Sequence, residues 1–219
     1  GDFAPLEIVL GSIQAVREFK IPVVLVGDKE QILTILKNNH EENNPLIEIH
    51  HASEVIEMGE HPGLAYRKKK DASVSVGARL VRAKECGALV APGSTGAAVT
   101  AGLLGIGRIK GIERPAILTP IPNEKGRYTY LIDSGASAQP KVETYVQNAI
   151  LGYIYASKVA GIKNPRIGLL NIGEEDTKGS PLVTEANKVL QNQSIIPFSG
   201  NAEGRDIMTG EFDVVVTDG

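Results

Sequence analysis

The chain has 219 residues, enough to bury a substantial core in one large domain or two small ones. Its 42% hydrophobic and 22% charged content is ordinary for a globular protein, and a net charge of −3 requires no basic face, which argues against nucleic acid as a partner while leaving room for a local basic patch. Aromatics make up 5% with no Trp, which argues against stacking platforms, and the lone Cys86 excludes an internal disulfide and a multi-cysteine metal site.

In chain order, Asp2 is expected to cap a helix with Pro5 in its first turn, since Leu6, Val9, Leu10, Ile13 and Val16 recur at helical spacing. "IPVVLVGD" (Ile21 to Asp28) is a continuous apolar run, as a buried parallel strand would be. "KEQILTILKNN" predicts a second amphipathic helix and "LIEIHHAS" a half-exposed strand. "GLAYRKKKDASVSVGARLVRAKEC" begins polar and becomes helical, with Val76, Leu80 and Val81 on one side. "GALVAPG" reads as the next strand and "STGAAVTAGLLG" as the helix after it. "RPAILTPIP" and "YTYLIDSG", joined through the turn-like "NEKGR", predict an antiparallel hairpin. A long helix over "VETYVQNAILGYIYASKVAG" ends at Gly161. Then come a strand from Ile167 to Ile172, a helix from about Pro181 to Gln191, "SIIPF", and a last strand in "DVVVTDG".

Strands alternating with helices predict a mostly parallel, doubly wound α/β sheet with helices on both faces. Such sheets bind ligands at the carboxyl ends of their strands. The residues there are Gly27-Asp28, His50-His51, "APGSTGA", "DSGAS" (Asp133 to Ser137), "NIGEEDTKG", "SGNAEG" and Asp218-Gly219. They are rich in Gly, Ser, Thr, Asn and acids, which suits an anion such as phosphate. "APGSTGAAVTAG" serves equally as an ordinary N-cap with tight helix packing or as an anion site, and it lacks the Gly-Lys-Ser/Thr ending of a triphosphate loop. "RKKKD" (Arg67 to Asp71) is by default a solvated charge run, but cations at a helix start oppose the helix dipole, which favours a binding role. Adjacent His50 and His51 face opposite ways along a strand and cannot easily clasp one metal. No HExxH motif and no Gly-x-Ser-x-Gly elbow occurs, and Cys86 reads as packing.

Taken in order, "GDFAP", "VGD", "HASEVIEMGEHPGLAYRKKKDAS", "GSTGA", "GRIKGIERPAI", "PRIGLLNIGEEDTKG", "FSGNAEGRDI" and "DVVVTDG" resemble the bacterial PlsX-type phosphate acyltransferases over essentially the whole chain. The resemblance implies a three-layer α/β/α fold similar to isocitrate/isopropylmalate dehydrogenases and phosphotransacetylase. It also implies transfer of a long fatty acyl group from acyl carrier protein to inorganic phosphate, giving acyl phosphate for phospholipid synthesis. A homodimer, no cofactor, no metal and no nucleic-acid partner go with it. So does a cytoplasmic location with peripheral contact at the membrane surface, in keeping with the absence of a spanning-length apolar run or a signal peptide. Residues 1–219 are expected to form a single α/β acyltransferase domain truncated at both ends, because family members begin with a further strand and continue past the final "DG". Two departures from the family pattern stand out: Ser94 where Asn is usual, and "GASAQPK" (Gly135 to Lys141) where "GAN-DCK" is usual.

Acyl transfer to phosphate requires the anion to be aimed, the thioester oxyanion stabilised and the leaving thiolate protonated. Phosphate and oxyanion contacts are expected from Gly93, Ser94, Thr95 and Gly96. Lys68, Lys69, Lys70 and Lys178 are the candidate catalytic cations, and Asn171 and Asn201 the candidate amide donors. Glu174 or, preferentially, Glu175 either supports the start of the Pro181 helix or orients Lys178 and a neighbouring cation. Ser137, Lys141, Gly173, Gly200, Glu203 and Gly204 complete the expected substrate-binding set. Three other readings remain at this point. One is a short-acyl phosphotransacetylase using coenzyme A. Another is a non-catalytic scaffold for lipid-synthesis proteins. A dehydrogenase is disfavoured by the missing dinucleotide fingerprint.

Overall fold

A computed structural model of the chain describes residues 1–137 and 139–219. They form two compact units, Gly1–Ile109 and Lys110–Gly219, and each is described by itself.

The first unit opens with α1 (Leu6–Phe19), whose Val9, Ile13 and Val16 are buried at helical spacing. Asp2 does not cap it: Pro5 holds the N-cap position and no side chain bonds the first turn. β1 (Val23–Gly27) follows, and Asp28 caps α2 (Lys29–Asn38) by accepting from the Gln31 amide at 2.9 Å. β2 (Ile47–His51) pairs parallel with β1, and Leu25 packs with Val9, Ile13, Ile32 and Leu36 from the two helices. The polar start of the next segment is itself a short helix, α3 (Pro62–Lys68), separated by a turn from α4 (Ser73–Arg82). Along α4, Val76 and Leu80 are buried as expected.

"GALVAPG" forms no strand. A strand needs a neighbour to take its backbone hydrogen bonds. The sheet of this unit has only β1 and β2 among the described residues, and Val90 is 86% exposed. Ser94 then caps α5 (Thr95–Thr100), which widens into a π-helical turn over Ala101–Ile106. Small residues let this element sit close: a Cβ on Gly105 would stand 2.6 Å from the Ala78 Cβ, and one on Gly96 would meet Pro62 Cγ at 2.5 Å.

The second unit holds a five-stranded sheet of order β3-β4-β7-β5-β6. The expected hairpin is present: β3 (Leu118–Pro122) and β4 (Tyr128–Ile132) pair antiparallel. The remaining neighbours are parallel, linking β4 to β7 (Val214–Val216), β7 to β5 (Ile167–Leu170), and β5 to β6 (Phe198–Ala202). The long crossover helix α6 (Val142–Lys158) and α7 (Pro181–Gln191) cover one face, where Val214, Val216, Ile167 and Leu169 meet Tyr145, Ala149, Ala186 and Leu190. Val215 points to the other face with Ala202, Phe212 and Ile207, the last from the short α8 (Asp206–Thr209). All three β7 valines are 0% exposed, so this strand is buried on both faces. Gly152 brings α6 directly onto it: a Cβ there would stand 2.6 Å from Val214 Cγ1.

Two boundaries differ from the sequence reading. β5 stops at Leu170, and Ile172 is 81% exposed. β6 begins only at Phe198, the last residue of "SIIPF", so Ser199 to Ala202 are strand and not a loop beyond one.

Candidate functional site

Within the second unit the parallel register sets Ile132 beside Val216, Val216 beside Leu169, and Leu170 beside Ala202. Residues 133–137, 217–219, 171–179 and 203–205 therefore leave the same edge of the sheet, its carboxyl edge. This is where a wound parallel sheet presents ligand contacts.

The 171–179 segment is a closed loop held from its ends. Asn171 donates from Nδ2 to the Lys178 carbonyl at 2.9 Å and accepts from the Ile172 amide at 2.8 Å, which ties the two ends together. Gly179, at φ +94°, lies against the Asn171 amide group, and a Cβ there would collide with it. Asn201, on β6 and 5% exposed, donates from Nδ2 to the Glu175 carbonyl at 2.9 Å. Its Oδ1 accepts from the Asn187 amide of α7 at 2.8 Å. Gly173 is buried beneath the Glu175 carboxylate and the Lys178 stem, while the Lys178 side chain reaches solvent.

Glu174 meets a cation other than Lys178: Arg205, at 3.3 Å. Arg205 also pairs with Glu203 at 3.0 Å and approaches Asp206 at 3.9 Å. Among the described residues no ion pair joins Glu175 to Lys178. Neither acid supports the helix start, because Ser180 caps α7 and its first turn carries no acid. Gly200 sits on β6 at φ +101°, and the exposed Gly204 begins the turn into α8.

At the neighbouring strand ends Asp133 is wholly buried. Its Oδ1 accepts from the Ile117 amide at 2.9 Å and the Ala136 amide at 3.0 Å, fixing the turn that carries buried Ser137. Asp133 Oδ2 has no partner, and Gly219 packs against it and against the Ser137 backbone. Lys141 is exposed at the N-cap of α6, its amide donating to Thr144 Oγ1 at 3.2 Å. Burial pushes the Tyr145 phenol up from its ordinary value, and the Asp218 charge adds to the shift.

In the first unit, Ser94 Oγ accepts from the Ala97 amide at 3.3 Å, with Thr95 and Gly96 in the first turn of α5 and Gly93 just before it. The hydroxyl proton of Ser94 stays available to an oxyanion. The lysine run differs from its expected setting. Arg67 and Lys68 fall in the last turn of α3, where cations suit the dipole, so the electrostatic argument for a binding role lapses. Lys69 donates to the Val55 carbonyl at 2.7 Å and to Glu60 at 2.6 Å, which lowers the Glu60 pKa. Lys70 lies 5.9 Å from the centre of the Tyr66 ring. His51 accepts from the Lys29 amide at 3.3 Å, a structural use.

Sequence reasoning assigned no role to three residues that shape this region: Asp133, Asn187 and Arg205. Asn187 had a readable signal. It occupies an apolar position in the stripe Val183, Ala186, Asn187, Leu190.

The model of a family described as "Fatty acid synthesis protein" matches residues 1–219. The phosphate acyltransferase of Pelotomaculum thermopropionicum is 48% identical over 219 residues, covering 100% of this chain and 63% of the relative. That of Aquifex aeolicus is also 48% identical, covering 100% of this chain and 64% of the relative. The chain thus spans somewhat less than two thirds of the length of these curated relatives. A solved phosphotransacetylase from Streptococcus pyogenes superposes with a TM-score of 0.71 at 15% identity, covering 98% of this chain and 74% of the other. The fold is the three-layer α/β/α fold of phosphotransacetylases.

Proposed function

Because the chain belongs to the fatty acid synthesis protein family, we propose that it is the core of an enzyme that transfers a long fatty acyl group from acyl carrier protein to inorganic phosphate. The product is an acyl phosphate for phospholipid synthesis. The observation that carries this reading is identity with phosphate acyltransferases across the entire chain.

The two units act as one acyltransferase domain in this reading. Gly93, Ser94, Thr95 and Gly96 hold phosphate and the thioester oxyanion. Lys178 contributes a cation on the loop that Asn171 and Asn201 hold, and Glu203 acts through Arg205. Hydrogen phosphate is already an anionic nucleophile at neutral pH, so no covalent enzyme intermediate is required. One of its oxygens bonds to the acyl carbon, the carbon–sulfur bond breaks, and its proton ends on the departing thiolate. Partnership with acyl carrier protein, a homodimer and peripheral membrane contact belong to the same proposal. Among the described residues no helix is long and apolar enough to cross a membrane.

The test is thiol release by the full-length protein from palmitoyl-acyl carrier protein and from palmitoyl- and acetyl-coenzyme A, with and without phosphate. Release that requires phosphate and favours the carrier-protein thioester supports the proposal. Preference for acetyl-coenzyme A would assign a short-acyl phosphotransacetylase instead, and no release from any donor would leave a scaffold.

A further inference from the structure

We infer that Asn187, on α7 behind the strand ends, is a positioning residue that sets the 171–179 loop through Asn201. Asn187 is 0% exposed on the sheet-facing side of α7. Its Nδ2 donates to Asn201 Oδ1 at 2.8 Å, and Asn201 Nδ2 donates to the Glu175 carbonyl at 2.9 Å. The chain of bonds runs from helix to strand to loop, with one polarity throughout. An amide has one donating end and one accepting end. Whatever fixes the Asn201 oxygen toward α7 therefore fixes its NH2 group toward the loop.

The alternative explanation is that Asn187 only stabilises the interior. Its cost argues otherwise. The Asn187 Oδ1 is buried with no partner, a penalty that an apolar side chain in the same stripe would avoid. A residue kept only for packing between Ala186 and Leu190 has no need of an amide. The second clamp on the loop, from Asn171 to the Lys178 carbonyl, holds its ends but not its middle. The middle has the exposed Glu174–Arg205 pair and a turn bond from the Lys178 amide to the Glu175 carbonyl at 3.0 Å, but the bond that Asn187 orients is the one that ties it to the sheet.

The kinetic part of this inference rests on the acyl transfer proposed above; the structural part does not. Asn187→Leu is nearly isosteric and can neither donate nor accept. The Asn201 amide then has nothing on α7 to fix its orientation, and the clamp loosens. Asn201→Leu loses both bonds. In the full-length protein, both variants are expected to lower kcat/KM for phosphate by about ten- to a hundredfold, mainly through KM. The double variant should be no worse than the poorer single one. Amides of residues 172–178 should exchange hydrogen faster, while those of α6 and β7 keep wild-type rates.

Unchanged loop exchange in Asn187→Leu, or faster exchange spread equally over α6 and β7, would overturn the inference. Asn187→Ala carries the same readouts should the Leu variant not fold. Absence of phosphate-dependent thiol release in the wild-type protein would refute the proposed function, while loop exchange would still decide the clamp.

Discussion

Replacing Asp133 by Ala removes the one acceptor shared by the Ile117 and Ala136 amides, at 2.9 and 3.0 Å. An amide left without a partner costs about 1–3 kcal/mol when buried, so for these two half-buried residues the direct loss is at most about 2–6 kcal/mol. Removing the carboxyl group also removes the unpartnered Oδ2, which offsets about 1–3 kcal/mol of that loss. Taking the midpoints, about 4 against about 2 kcal/mol, the expected net destabilisation is about 2 kcal/mol. Asp133→Asn retains an acceptor for both amides and should lose less. Urea unfolding followed by tyrosine fluorescence reads this well, since Trp is absent and every Tyr except Tyr66 lies in the second unit. The turn that Asp133 fixes carries Ser137, so turnover should fall further in the Ala variant than in the Asn variant. An Ala variant as stable as wild type would refute the reasoning, because the two amides would then have found other partners.

Gly152→Ala gains about 1 kcal/mol of helix propensity but forces a methyl against Val214 Cγ1, an overpacking that costs about 1–3 kcal/mol. The same unfolding assay should show between no change and a loss of about 2 kcal/mol, and a clear gain would mean that α6 has slack above β7. In the first unit, hydrogen bonds from the Ser53 hydroxyl and amide hold the Asp71 pKa below its ordinary 3.8. A pKa lower in the folded state contributes stability above the unfolded value and loses it as pH falls through the folded one. Ser53→Ala should therefore unfold more easily than wild type near neutral pH, with the difference shrinking below about pH 4; a gap constant across that range would contradict the assignment. Ser94→Ala with Thr95→Ala should lower phosphate-dependent turnover about a hundredfold and stability by about 1 kcal/mol, measured by thiol release and by unfolding. Intact turnover would remove the loop from the site.

Elements set by local chemistry were legible. Ser180 and Pro181 followed by a stripe at helical spacing mark α7, and "NEKGR" between two apolar runs marks the β3–β4 hairpin. Elements set by a partner were not. "GALVAPG" looks as strand-like as "IPVVLVGD", yet only the latter has a neighbour to bond. In "SIIPF" the apolar Ile196 packs into the core from outside the strand, while the polar "SGNA" pairs with β5 because its register beside Leu169 and Leu170 demands it. The site divides in the same way. Strand-end loops rich in Gly, Ser and Asn could be read off the chain, but their internal wiring could not. Nothing local pairs Glu174 with Arg205 across 31 positions, or Asn201 with the Glu175 carbonyl across 26.

Phosphorus NMR of the full-length protein with palmitoyl-acyl carrier protein and inorganic phosphate follows the phosphate that accepts the acyl group directly. An acyl phosphate resonance growing in step with free carrier thiol, and disappearing when Ser94 and Thr95 are both Ala, is the predicted result. Free palmitate accumulating with thiol from the outset, with no acyl phosphate at any time, would mean that water and not phosphate attacks the acyl carbon.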